Sequence, residues 1–269
     1  MRATARVVAE ANGRGGTRLT VLRGESPLLL RRTGPDGGAG LTVHLVGGAA
    51  GPLRGDDLSL RIEVDPAARL DIRSVAASLA LPGPPGRPAS RLRIEARVAA
   101  GATLRWLPEP LIAAAGCDHR AVTVVEAEAG ATVVWRDDLV CGRHGEPCGQ
   151  VRTDVLVRYA GATLYRHELA VGADAPGWSG PAVLGSSGTG GAYGSVLLAG
   201  PPVTATAAPA GPAASPAHGT AVIMDLAGPG RLATAVGADI RAVRAALDPL
   251  CERLGEPPEP QRDQAMATA

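Results

Sequence analysis

Four times along the chain a small-residue corner is followed by an alternating strand, and this recurrence narrows the possible folds more than any other feature. The sharpest copy is Gly101 to Ile112, GATLRWLPEPLI. With the corner alanines in register, VDPAARLDI carries Ala68, VAAGATLRW carries Ala102, EAEAGATVVW carries Ala131 and YAGATLY carries Ala162. The spacing is about thirty residues, a period typical of stacked repeats. A small residue lets the backbone turn tightly, and the alternating apolar residues behind it supply the inward face of a strand. One unit cannot bury that face alone. Stacking removes it from water at about 25 cal/mol per Å², which predicts one continuous core. The alternative is coincidence in a chain with 36 glycines. The expected fold is all-β, a stacked, β-helix-like scaffold of two layers.

A chain of 269 residues can build this as one domain, expected over residues 1–255. Residues 172–219 are rich in Gly, Ala, Pro and Ser and read as loops, and residues 256–269 as a disordered tail. One helix is expected near the end. In DIRAVRAALDPLCERLG, Ile240, Val243, Leu247, Leu250 and Leu254 recur at helical spacing, Asp239 caps the start, Gly255 closes the end and Pro249 should kink the middle.

The charge balance excludes several partners. A formal net charge of +1 with arginines spread along the chain gives no basic stripe for nucleic acid or an anionic membrane. All 27 basic residues are arginine. Without a lysine there is no Walker A loop, Schiff base or kinase phosphate clamp. Three Trp, three Tyr and no Phe leave the core to Val, Leu, Ile and Ala, and supply no platform for base stacking. The four cysteines, Cys117, Cys141, Cys148 and Cys251, follow a polar start, MRATARVVAEANGR, which is no signal peptide, so a reduced cytoplasmic protein is expected.

Three polar groupings stand out. A Gly/Pro loop delivers Asp56-Asp57 to the start of a strand, as a turn cap or a cation site. Cys141, His144 and Cys148, spaced Cys-x2-His-x3-Cys around Glu146, form a metal knuckle with no second knuckle to complete it, or a polar turn. His167 and Glu168 sit on the strand after the fourth corner. His44 falls opposite Leu41, Val43 and Leu45 and reads as solvated.

Taken in order, TRL and PLLLR, the Gly47–Ala77 loop and strand with its Gly55-Asp56, LRWLPEPLI and LVCGRHGE resemble the urease accessory protein UreD family, called UreH in some organisms. Gly55, Trp106, Leu107, Pro108, Glu109, Gly142, Arg143 and Glu146 carry the motifs, well matched over about residues 15–170 and loosely beyond. The chain departs from the family at SLAL after Ala77, where Thr-Lys-x-Tyr is usual, at Pro110, in lacking a Leu between Cys141 and Gly142, and in having no terminal Trp motif. The resemblance implies a non-catalytic metallochaperone scaffold that joins the all-α UreF and the GTPase UreG to load nickel into apo-urease. GTP hydrolysis then belongs to the partner, and the chain itself holds no permanent cofactor, only nickel in transit. It also places a transient nickel path at Asp56, Asp137 and His167, with Ser78 alongside, at comparable ends of stacked strands. The competing reading is a β-helix protein that binds or processes carbohydrate, for which six aromatics provide no sugar platform.

Overall fold

Three small-residue corners, at Ala68, Ala102 and Ala131, hand the chain from one sheet to the other. The structure is a computed structural model that describes residues 1–34, 40–178, 191–201, 213–214 and 220–253. In chain order the strands are β1 (Arg2–Ala11), β2 (Thr17–Gly24), β3 (Leu28–Thr33), β4 (Leu41–Gly47), β5 (Asp57–Val64), β6 (Arg69–Ser74), β7 (Ser78–Ala80), β8 (Ser90–Val98) and β9 (Thr103–Leu107). They continue with β10 (Leu111–Ala113), β11 (Asp118–Ala127), β12 (Thr132–Cys141), β13 (Gln150–Tyr159), β14 (Ala162–Val171), β15 (Ala192–Ala199), β16 (Ala213–Ala214), β17 (Thr220–Asp225) and β18 (Gly230–Gly237), before helix α1 (Ile240–Arg253).

The first sheet has the order β14-β13-β11-β8-β5-β1-β2 and the second β16-β17-β18-β15-β12-β9-β6-β4-β3, with β7 and β10 joined to β12 beside that path. Successive coils stack in parallel: β5, β8, β11 and β13 in the first sheet, β4, β6, β9 and β12 in the second. Antiparallel pairs close the margins.

Three corners repeat one geometry. The N–H of Ala68, Ala102 and Ala131 donates to the carbonyl three residues earlier at 3.1, 3.0 and 3.0 Å. The residue before each alanine is left-handed, Ala67 at φ 62°, Gly101 at 71° and Gly130 at 82°. The corners also bond to one another, Thr103 N–H to Ala68 O and Thr132 N–H to Ala102 O. Each of these alanines is buried, so a larger side chain would collide with the core.

The fourth copy is not a corner, which corrects the four-unit expectation. Val64, Val98 and Ala127 share a register, and each reaches its corner alanine after four residues, whereas Tyr159, level with Ala127, reaches Ala162 after three. One residue short, the chain cannot cross to the other sheet. It closes as a hairpin with Ala160 and Gly161 both at positive φ, the turn whose twist suits an antiparallel pair. Ala162 is accordingly exposed.

Within residues 172–219, read mostly as loops, β15 runs between β12 and β18 in the second sheet. Its sequence, AYGSVLLA, is buried on both faces in its second half, and a two-sided apolar strand gives no alternation to read. The 256–269 tail lies outside the described residues.

The main core fills the space between the sheets. On the second sheet Val43, Ile72, Trp106, Trp135, Leu197 and Leu232 form one cross-strand row, and the two indoles stack at 5.0 Å between centroids. The outer face of the first sheet is charged, with cross-strand pairs such as Arg6–Glu63 at 2.9 Å and Arg158–Glu126 at 3.5 Å. The outer face of the second is covered by α1, which buries Val243, Leu247 and Cys251 against Val134, Ala192, Val196 and Ala235. As expected, Asp239 caps α1, accepting from Ala242 N–H at 2.9 Å. The helix runs on through Pro249 to Arg253, while Leu254 and Gly255 are not among the described residues.

Candidate functional site: a cavity behind a split in the second sheet

The Trp-Leu-Pro-Glu-Pro stretch breaks the second sheet. Trp106 pairs with Trp135 and Leu111 with Leu139, but Pro108-Glu109-Pro110 leave the ladder. Proline has no N–H to give to a neighbouring strand. The adjoining strand is interrupted at the same level, since β6 ends at Ser74 and β7 begins at Ser78. Glu109 N–H to Ser74 Oγ at 2.8 Å and Ser78 N–H to Pro110 O at 2.9 Å hold the two breaks together. Beside this split, β12 passes unbroken and presents Arg136, Asp137 and Asp138.

Behind the split lies a cavity of about 400 Å³ between the sheets, walled by Ser78, Pro108, Glu109, Asp137, His119 and Tyr193 among others. It exists because small inward residues face it from the first sheet, Ala121, Thr123 and Thr153, and these do not span the roughly 10 Å between packed sheets. Most of its wall is aliphatic. The polar groups gather toward β11, β12 and β15.

Asp137 points inward from the middle of β12. Its Oδ2 accepts the Trp135 indole N–H at 2.9 Å. Burial pushes its carboxyl up to about 6, against the pull of that indole, and the neighbouring Asp138 pushes the same way. Trp106 Nε1 lies near enough to favour the charged form but makes no hydrogen bond. Asp138 points outward, beneath α1. Its carboxyl is raised by burial and held in check by Arg136 at 2.9 Å and Arg244 at 3.8 Å. Arg136 also binds Asp248, and Arg244 reaches Glu109 at 2.7 Å. An ionic cluster thus ties α1 to the Pro-Glu-Pro break. A buried pair of this kind is costly to break from one side. Gly194 permits the approach, since a Cβ there would sit 2.5 Å from Val243 Cγ1 and 2.7 Å from Asp138 Oδ1.

The expected path residues are only partly gathered. Ser78 and Asp137 both wall the cavity. His167 lies next to it, stacked between Tyr165 and Tyr193 at 6.0 and 6.2 Å, with burial lowering its pKa. Asp56 is turned to structure: it is buried, accepts Leu53 N–H at 2.9 Å and pairs with the amino group of Met1. That is the turn-cap use. Nor do the four sit at comparable strand ends, because Asp137 and His167 are mid-strand; what relates them is the inward phase of their strands.

The remaining motif residues are architectural. Gly55 takes φ 87° in the Asp56 turn, and Leu107 packs on the α1 side. Gly142 takes φ 78°, and a Cβ there would meet Glu146 O at 2.5 Å. Arg143 and Glu146 staple the same loop. His144 is exposed on it, while Cys141 and Cys148 turn into an apolar cluster with Cys117, whose thiol burial pushes up to about 12. The sequence spacing thus folds as a turn with its thiols inside. Among the described residues no three His, Cys, Asp or Glu side chains converge as a metal-holding set.

His119, Asp138, Arg136 and Arg244 were not singled out from sequence. For His119 the signal was present. The inward set of β11 is His119, Ala121, Thr123, Val125 and Ala127, and counting back by twos from Ala127 finds it.

The fold and the cavity define a non-membrane-helix, two-sheet β scaffold with a polar-ended interior chamber and a helix clamped over its broken wall; among the described residues no helix is long and apolar enough to cross a membrane. The comparisons agree on the family. A family model described as UreD urease accessory protein matches residues 1–264. The chain is 44% identical over 253 residues to urease accessory protein UreD 3 of Streptomyces griseus subsp. griseus, covering 92% of this chain and 95% of that one. It is 40% identical over 261 residues to urease accessory protein UreD of Streptomyces avermitilis, covering 95% and 98%, and 41% identical over 276 residues to that of a Parafrankia species, covering 93% and 88%. The chain belongs to the UreD urease accessory protein family, and its role lies in urease maturation.

Proposed function

We propose that this chain is a non-catalytic, cytoplasmic scaffold that, with UreF and the GTPase UreG, delivers nickel to apo-urease, the ion passing through the cavity behind the split sheet. Family membership supports the setting. The observation that carries the route is the inward, half-buried carboxyl of Asp137, drawn between the sheets into a chamber that Ser78 and Glu109 also wall. A buried carboxylate without a cation partner is unfavourable, and a passing divalent ion supplies that partner. Oxygen ligands suit passage, because thiolates would hold nickel too firmly to release it. Asp56, engaged by Met1, holds the loop that walls one side, and His167 stacks on Tyr193 of the cavity wall. Trp106 and Trp135 are stacked in the core, which withdraws them from any carbohydrate-binding role.

The test is to block the chamber with Asp137→Leu combined with Ser78→Leu, leaving Asp56 intact. Urease activation in a reconstituted UreF–UreG–urease mixture should be lost while the complex still assembles on a sizing column. Full activation by the blocked protein would overturn the route.

A further inference from the structure

On the outer face of the first sheet the fold builds a ladder of three arginines that stand far apart in the sequence. Arg91 of β8 is level with Arg120 of β11, and Arg120 is level with Arg152 of β13. Neighbouring strands lie about 4.8 Å apart, so the three side chains leave the sheet next to one another, and all three are exposed. The carboxylates nearby are engaged elsewhere. Asp57, level with Arg91 on its other side, pairs with Arg2 at 3.4 Å. Asp118 pairs with Arg54 at 3.2 Å, and Glu168 reaches Arg152 at 3.5 Å. Among the described residues Arg91 and Arg120 make no ion pair, and Arg120 has an arginine on each side.

Like charges set directly opposite on adjacent strands are unfavourable. The other end of the same face avoids this. There the row across β5, β8, β11 and β13 reads Glu63, Arg97, Glu126, Arg158, alternating in sign. Alternation at both ends would serve solubility, so the arginine row calls for an anion from outside the chain. Its surroundings say which kind. Val122, Val124 and Leu156 lie beside the row, on the outward phase of their strands and half-buried. Glu63, Glu126 and Asp154 share the face and would repel a continuous phosphate backbone, as the formal net charge of +1 also disfavours one. A protein surface fits. Arginine beside an apolar strip is the composition of protein interfaces, and guanidinium takes a carboxylate through two parallel hydrogen bonds. We propose that this face, from Arg91, Arg120 and Arg152 to Val124 and Leu156, docks an acidic surface of one of the proteins with which the chain matures urease. It takes that set of partners from the reading above, but it lies on the side of the first sheet away from the cavity and does not depend on the nickel route.

The experiment exploits the absence of lysine from the chain. Arg120→Lys keeps the charge and gives the ladder a side-chain amine, which a carbodiimide couples to a carboxylate in direct contact. Arg97→Lys, on the alternating row, is the control. In the reconstituted UreF–UreG–apo-urease mixture, the Arg120→Lys chain should give a product in which residue 120 is joined to an Asp or Glu of a partner, located by peptide mass mapping. Arg97→Lys should give no such product, and salt at about 0.5 M should suppress the first. Arg120→Glu restores alternation between Arg91 and Arg152. It should raise the melting temperature of the chain by about 1–3 °C and weaken its association with the captured partner about tenfold or more. No product at residue 120 beyond that of the control overturns the proposal, whether or not the mixture activates urease. So does a product that joins two copies of this chain, undiminished association of Arg120→Glu, or binding of a duplex RNA oligonucleotide that Arg120→Glu abolishes. The route is scored separately: full activation by the blocked Asp137→Leu, Ser78→Leu protein removes the passage of nickel and leaves the docking face standing.

Discussion

Asp137→Asn should stabilise the protein at neutral pH, although it removes a charge from the candidate site. In the folded chain the carboxyl is held at about 6 by burial, against an ordinary value of 3.8. A raised carboxyl pKa means that the folded state favours the proton. Stability linked to Asp137 is therefore full below about pH 3.8 and falls as the pH rises through 6, above which the deficit is constant. The deficit is about 3 kcal/mol at pH 7 and about half that at pH 5. Asparagine remains neutral throughout, and its Oδ1 can still accept the Trp135 indole N–H. Urea unfolding of both proteins at pH 7 and pH 5 gives the comparison directly. The variant should gain about 2–3 kcal/mol at pH 7 and distinctly less at pH 5. A destabilised variant, or a gain that grows toward acid pH, would show that Asp137 is not a desolvated carboxylate, and the argument for a cation partner would go with it.

The corners and the helix clamp carry further expectations. Ala67 occupies the left-handed position that glycine fills at Gly101 and Gly130, so Ala67→Gly should be neutral or stabilising by up to about 1 kcal/mol, read as a melting-temperature rise. Gly194→Ala would press a methyl group on Val243 and Asp138; a loss of about 1–3 kcal/mol is expected, with faster proteolysis of α1 than in the parent chain. Trp106→Ala removes half of the indole stack from a fully packed row and should cost about 3–5 kcal/mol in urea unfolding.

The two-layer stack was legible because its cause is local. A turn that admits only small side chains, followed by alternation, specifies a coil whatever lies next to it, so Ala68, Ala102 and Ala131 are where the sequence puts them. The terminal helix was legible for the same reason, with Asp239 and its apolar stripe in plain view. β15 was not, because a strand covered on one face by α1 and on the other by the core between the sheets loses the alternation that identifies strands. The site was legible in part. Its proline break shows in the sequence, and so does Asp137 through the motif beside it, but the meeting of Glu109 with Arg244 joins residues far apart in the chain. Asp56 illustrates the opposite case: an aspartate in the expected motif position is occupied by the amino terminus, a partner that no pattern of side chains announces.

The hairpin at Ala160-Gly161 shows how such a chain decides when to stop. A stack of parallel coils has no intrinsic length, and its last strand would offer an unpaired edge to the next copy of itself. Here the decision falls to a count: four residues from the last inward position send the chain across to begin another coil, and three send it back upon itself. The returning strand places Arg166 and Glu168 on its exposed positions, a charged selvedge that discourages end-to-end growth. Inserting or deleting one residue at this point is therefore a change of a different order from any substitution, because it moves the boundary between a finite domain and a fibre-like repeat.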